Sequence, residues 1–152
     1  MVHSNKDIKR LEFYSQLKKY LKDNKISLEV KLHKGNSSHW AHFTVGRVRV
    51  STDLVEKDNK IRVNLYMVNA RPIYDELYKN KGRIEKSLSF RLEWRRECGR
   101  TASRIKTYIY GLNFANTDKF PELIHKTVNY ILQFIRAFEP VFEDLGISYE
   151  KY

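Results

Sequence analysis

The stretch SRIKTYIYG, residues 103–111, decides how this chain is read. Its residues alternate with a period of two, the signature of a strand. Ile105, Thr107 and Ile109 take one side, and Arg104, Lys106, Tyr108 and Tyr110 the other. The first side is ordinary core. The second couples positive charge to aromatic rings and points away from that core, so it needs its own account.

The same alternation spreads outward from this strand. RLEWRR, residues 91–96, is the hairpin partner, joined through ECGRTA, with Leu92 and Trp94 inward. IRVNLYM, residues 61–67, sends Ile61, Val63, Leu65 and Met67 inward and Arg62, Asn64 and Tyr66 outward. Further upstream, HWAHFTVGRVRVSTDLV, residues 39–55, forms a hairpin that turns at Gly46. In its first arm Ala41, Phe43 and Val45 oppose Trp40, His42 and Thr44. In its second arm Val48, Val50 and Leu54 are core, while Arg47, Arg49, Ser51 and Asp53 are not. EKDNK, residues 56–60, makes the next turn.

Helical spacing flanks these strands. A first helix spans Asn5 to Lys22, with Ser4 as cap and Asp7 suited to its positive N-terminal end. Its apolar stripe is Ile8, Leu11, Tyr14, Leu17 and Leu21, widened by Phe13 and Tyr20. A middle helix spans Ile73 to Leu88. Pro72 sits in its first turn, Ile73, Leu77, Ile84 and Leu88 share a face, and Gly82 weakens it. A long helix starts near Asp118 with the stripe Ile124, Val128, Ile131, Ile135, Phe138 and Phe142, which Pro140 kinks or ends. Steps of four and three could form a coiled-coil seam, but more often mark one helix face lying on a sheet. The order is helix, three strands, helix, two strands, helix. It predicts one α+β domain over residues 1–152: a two-layer sandwich, with a largely antiparallel sheet of about five strands covered on one face by three helices.

Bulk properties narrow the function. The chain has 152 residues, enough for a single core, and a net charge of +11 that attracts polyanions, nucleic acid first among them. Its single cysteine, Cys98, excludes an intramolecular disulfide and fits an intracellular, cytoplasmic setting. No signal-peptide core opens the sequence, and no run approaches the ~20 apolar residues of a membrane span, so no membrane partner is expected.

The outward positions form one list: Trp40, His42, Arg47, Arg49, Arg62, Tyr66, Arg91, Arg95, Arg104, Lys106, Tyr108 and Tyr110, with only Asp53 and Glu93 acidic. Arg47, Arg49, Arg62, Arg104 and Lys106 suit phosphates, because cations release counterions and arginine also stacks on bases. Arg91 and Arg95 add to them. Trp40, Tyr66, Tyr108 and Tyr110 would stack bases or frame a groove. The predicted partner is DNA or RNA. A second reading makes the face a protein interface, docking on a nuclease subunit or on another copy as a homodimer. A third leaves it solvated, its Arg–Tyr and Arg–Glu neighbours stabilising the sheet without a ligand.

Several segments taken in order, namely HWAHFTVGRVRVSTDL, KIRVNLYM, DELYKNKGRIEKSLSFRLEWRR, ASRIKTYIYG and FPELIHKTVNYILQFIRAFEPVF, carry a resemblance. The chain resembles the bacterial and archaeal family called domain of unknown function 4268, from its first helix to about Phe142. The positions that best match are Trp40, Gly46, Arg62, Tyr78, Glu85, Trp94, Ser103 and Arg104. Such domains often follow a restriction-endonuclease-like nuclease domain or lie near defence genes. The resemblance therefore implies a restriction or mobile-DNA defence setting. It supplies no catalytic residues. A nuclease domain is absent from this sequence, so a stand-alone member or a piece of a longer protein is expected.

Catalysis finds little support. A PD-(D/E)xK nuclease needs an acid on one strand and Glu/Asp-x-Lys on the next. Asp53 has no following Glu-x-Lys at the right spacing: EWR, Glu93 to Arg95, lies after the middle helix and ends in arginine, and EVK at Glu29 to Lys31 comes too early. His39 and His42 in HWAH point to opposite faces of a regular strand and so do not share a metal, and His33 would join them only through a bend. No phosphate-loop, dinucleotide or nucleophile-elbow motif occurs. The expectation is a non-enzymatic binding domain with no cofactor.

Overall fold

The computed structural model describes the backbone of residues 5–28, 31–32, 37–43, 47–147 and 149–151, and the side chains of residues 8–28 and 48–147. Ser4, Glu29, His33 and Gly46, each given a role above, lie outside the described residues. So do the side chains of Asp7, Trp40, His42 and Arg47.

The elements run α1 (Asn5–Asp23), β1 (Lys31–Leu32), β2 (Ser37–Phe43), β3 (Arg47–Val55), β4 (Lys60–Val68), α2 (Arg71–Lys79), α3 (Lys81–Lys86), β5 (Glu93–Arg95), β6 (Ala102–Tyr110), α4 (Phe120–Asp144) and β7 (Tyr149–Lys151). The class is α+β, and every strand pairing is antiparallel. Four long strands, β2, β3, β4 and β6, make the body of the sheet. The full order is β1-β2-β3-β4-β6-β5, with β7 also pairing β2. Five strands and three helices were expected. The described residues hold seven strands and four helices, because β1 and β7 are too short to show alternation and the middle helix divides.

The inner face is the predicted one. Val48, Val50, Leu54, Ile61, Val63, Leu65, Met67, Ile105 and Ile109 are all buried. Above them lies α4, which packs on β3, β4 and β6. Every member of its predicted stripe is buried, and so are Phe120, Leu123, Phe134 and Val141 to either side. A stripe that wide suits a central helix with a sheet below and neighbours alongside, so the coiled-coil alternative gives way to the sheet. Burying each such side chain stabilises the fold by about 1.5–3 kcal/mol. The helix also continues past Pro140 to Asp144, so the proline does not end it. The carbonyl that loses its partner belongs to Arg136, an exposed residue, so water can replace the missing donor.

Two other helix expectations change. In α1, Phe13, Tyr14, Leu17 and Leu21 are buried, but Ile8 and Leu11 are exposed. The helix meets α4 from its middle onward, where Phe13 packs edge-on to Phe120 at 5.2 Å and Tyr20 bonds His125 at 2.7 Å. The middle helix breaks at Asn80 and not at Gly82. The Asn80 side-chain amide donates to the carbonyl of Glu76 at 2.9 Å, taking over a bond that continued helix would supply. Both short helices cover the β5–β6 side of the inner face. Trp94 of β5 packs there against Tyr74 and Tyr78 and donates its indole N–H to Glu85.

Candidate functional site

The outer face of the sheet is fixed by register. Arg49 of β3 stands opposite Tyr66 of β4, Tyr66 opposite Arg104 of β6, and Arg104 opposite Arg95 of β5. The next row is Ser51, Asn64, Lys106 and Glu93. Then come Asp53, Arg62 and Tyr108, and finally Val55, Lys60 and Tyr110. Where side chains are described, six cations (Arg49, Lys60, Arg62, Arg95, Arg104 and Lys106) share this face with two carboxylates, Asp53 and Glu93.

The centre of the face is not a solvated layer. Ser51, Asp53 and Asn64 are buried although they point away from the core. Arg62 donates through Nε to Asp53 at 2.9 Å, and Arg104 pairs with the same carboxylate oxygen at 3.6 Å. Arg104 also donates to the Asn64 side-chain oxygen at 2.8 Å. The Asn64 amide in turn donates to the Ser51 carbonyl and hydroxyl. One buried acid therefore anchors two arginines, and one buried amide links them to the next strand. Burial opposes the charge of Arg62, but Asp53 and the Tyr108 hydroxyl outweigh it and hold its pKa above the ordinary arginine value. These two arginines, expected to be free for phosphates, are first of all partners of Asp53. The same pairing commits Asp53, the residue weighed as a nuclease acid.

Aromatic rings also hold Arg104 and the two lysines of the face. The Arg104 guanidinium lies 4.3 Å from the Tyr66 ring centroid. Lys60 lies 3.9 Å from that of Tyr108, with Lys106 at 5.3 Å. Burial pushes the Tyr108 phenol up, but Lys106, Lys60 and Arg62 overcome it and bring it below the usual tyrosine range. Tyr110 ends the strand, 68 % exposed. Lys60 was assigned to a turn by sequence. Its parity with Arg62 was the signal that it belongs to the face.

Other predicted positions separate from this group. Arg91 is exposed in the loop ahead of β5, since only Glu93–Arg95 are strand. Arg47 opens β3, and its backbone pairs with Val68. In β2 the pairing slips between His39 and Ala41, so that His39 stands opposite Ser51 and His42 opposite Arg49. The slip falls at Trp40 and shifts the alternation by one, so His39 and His42 share a register parity that strict alternation denies them. Trp40 and His42 accordingly lose the common parity expected of them. The edge strand β5 is held by its loop: Arg71 donates to the carbonyls of Arg96, Gly99 and Arg100, and Asp75 receives Arg96. Among the described residues no cluster of His, Cys, Asp and Glu could hold a metal ion, and no helix is long and apolar enough to cross a membrane.

A family model described as "Domain of unknown function (DUF4268)" matches residues 9–142. The chain belongs to the DUF4268 family. No curated protein matches it. Of the positions that carried the resemblance, Arg62, Tyr78, Glu85, Trp94, Ser103 and Arg104 have physical roles in this DUF4268 domain. Trp94 and Glu85 bond β5 to α3 at 2.9 Å, and the Tyr78 ring stands edge-on to Trp94 at 5.5 Å. The Ser103 hydroxyl donates to the Arg96 carbonyl across the β5–β6 hairpin. Arg62 and Arg104 share Asp53. The pattern is thus written in residues that tie elements together.

Proposed function

We propose that this domain binds nucleic acid through the outer face of its sheet, as a non-enzymatic module in a restriction or mobile-DNA defence setting. The observation that carries the reading is the in-register row Arg49–Tyr66–Arg104–Arg95, which crosses four strands on a face with six cations and two carboxylates. Four adjacent strands cover about 14 Å, three strand spacings. That length corresponds to about four base steps at ~3.4 Å each. Asp53 neutralises part of the charge on Arg62 and Arg104 and holds them as a fixed surface. Arg49, Arg95, Lys106 and Lys60 are the cations offered to phosphates, with Arg91 at the margin. The defence setting rests on the family resemblance alone.

The test is fluorescence anisotropy with labelled DNA and RNA over a salt series. Four phosphate contacts give a slope of log affinity on log salt of about −3.6 for duplex DNA and about −2.8 for a single strand. Arg49→Glu with Arg95→Glu removes two cations outside the Asp53 network and should abolish binding without moving the melting temperature. Shallow, polymer-blind binding that the double variant leaves unchanged would sink the reading. A change in oligomeric state on light scattering would then assign the face to a protein contact.

A further inference from the structure

We infer that the nucleic acid taken by this face is single-stranded, with an unpaired base stacked on Tyr110 and the adjoining phosphate held by Lys60 and Lys106. The inference rests on the nucleic-acid reading above and narrows it to one class of ligand.

At the far end of the face, register sets two cations of β4 beside two rings of β6: Lys60 pairs with Tyr110 and Arg62 with Tyr108. The two rings have different surroundings. Lys60 and Lys106 both sit over Tyr108, at 3.9 and 5.3 Å from its centroid, so that ring holds cations in place. Tyr110 is 68 % exposed, and its ring is 6.2 Å from Tyr108 with a 45° tilt, so neither ring covers the other. Among the described residues no strand pairs with this side of β6 here. Within the described residues β5 pairs only with Arg104, Ile105 and Lys106, and the strand runs on to Tyr110 past that partner.

An exposed ring beside cations discriminates by strandedness. A duplex keeps the faces of its bases inside the stack and presents phosphates and base edges, which lysine and arginine satisfy without any ring. A single strand presents bare base faces, and aromatic side chains bind these whatever the sequence. A base on Tyr110 leaves its phosphate beside Lys60, the residue directly across the strand pair.

The experiment compares one sequence as single-stranded DNA, as single-stranded RNA, and as a duplex closed at both ends by ethylene glycol linkers. Single strands should bind at least tenfold tighter than the closed duplex. Tyr110→Ala should weaken single-strand binding by about 5- to 150-fold, the range for losing one stacked base, and leave duplex binding alone. Tyr110→Phe keeps the ring and should restore the affinity. Lys60→Gln should make the single-strand salt slope shallower by about 0.7. Tyr110 is exposed at a strand end, so an unchanged melting temperature shows that the fold persists. A preference between DNA and RNA identifies which single strand is read. Equal affinity for the closed duplex, or a Tyr110→Ala variant that binds single strands normally, overturns the inference, while steep salt dependence would keep the parent reading. Absence of salt-dependent binding to every polymer removes both.

Discussion

Asp53→Asn separates what holds the outer face together from what the face offers. The substitution keeps the shape of the side chain and removes its charge. Two guanidiniums depend on that charge, Arg62 at 2.9 Å and Arg104 at 3.6 Å. Breaking a fully buried ion pair costs about 3–5 kcal/mol, and losing one charge-assisted hydrogen bond about 1.5–3 kcal/mol. Here Asp53 is buried, but the side chains of Arg62 and Arg104 are 24 % and 22 % exposed, so water recovers part of the loss. The destabilisation should be about 2 kcal/mol. For a chain of this size that lowers the melting temperature by about 4–8 °C. With a urea slope of about 2 kcal/mol per molar, the unfolding midpoint should fall by about 1 M. Urea titration followed by tryptophan fluorescence reads this directly. Asp75→Asn is the control. Its partner Arg96 lies in the exposed β5–β6 loop, so the midpoint should stay where it is. Binding should respond in the opposite sense. With one negative charge gone and two arginines released, nucleic-acid affinity should rise at low salt, with a slope steeper by about one. A midpoint shift under about 0.25 M, which at that slope is about 0.5 kcal/mol and no more than an ordinary surface change, would refute the Asp53 anchor. A parallel loss of stability and binding would refute the division between anchoring and offered cations.

Two further outcomes test the frame around the site. Gly111 has φ of +105°, and a Cβ there would meet nothing closer than Leu123 Cδ2 at 3.9 Å. Gly111→Ala should therefore destabilise through backbone strain alone, by about 1–3 kcal/mol in thermal unfolding, loosening the turn in which the Gly111 and Leu112 amides both donate to the Asn59 carbonyl. Spectrophotometric titration should resolve two tyrosines from the rest. Tyr108→Phe should remove an early phase below the ordinary value of 10.0, and Tyr74→Phe a late one above it, since burial first, then Tyr78 and Asp75, raise Tyr74. The sign for Tyr108 follows: a phenol depressed in the fold adds stability only at alkaline pH, and that contribution disappears as pH falls through its folded value.

Much of this architecture was legible because alternation and helical spacing are local. Ile105 and Ile109, or Arg62 and Tyr66, are sent to their faces by the pleat of their own strand, whatever the strand pairs with. The α4 stripe likewise follows from 3.6 residues per turn. The sequence therefore determined the α+β class, the two faces of β3, β4 and β6, and the family. Tertiary structure decided what those positions do. Asp53, Arg62 and Arg104 meet only because β4 lies between β3 and β6, and no pattern within one strand encodes that order. The slip at Trp40 changes parity along β2, the Asn80 amide divides a helix that spacing alone would continue, and solvent at Arg136 lets α4 pass Pro140. Each of these depends on which group satisfies a polar atom, and that partner is chosen by packing across the chain.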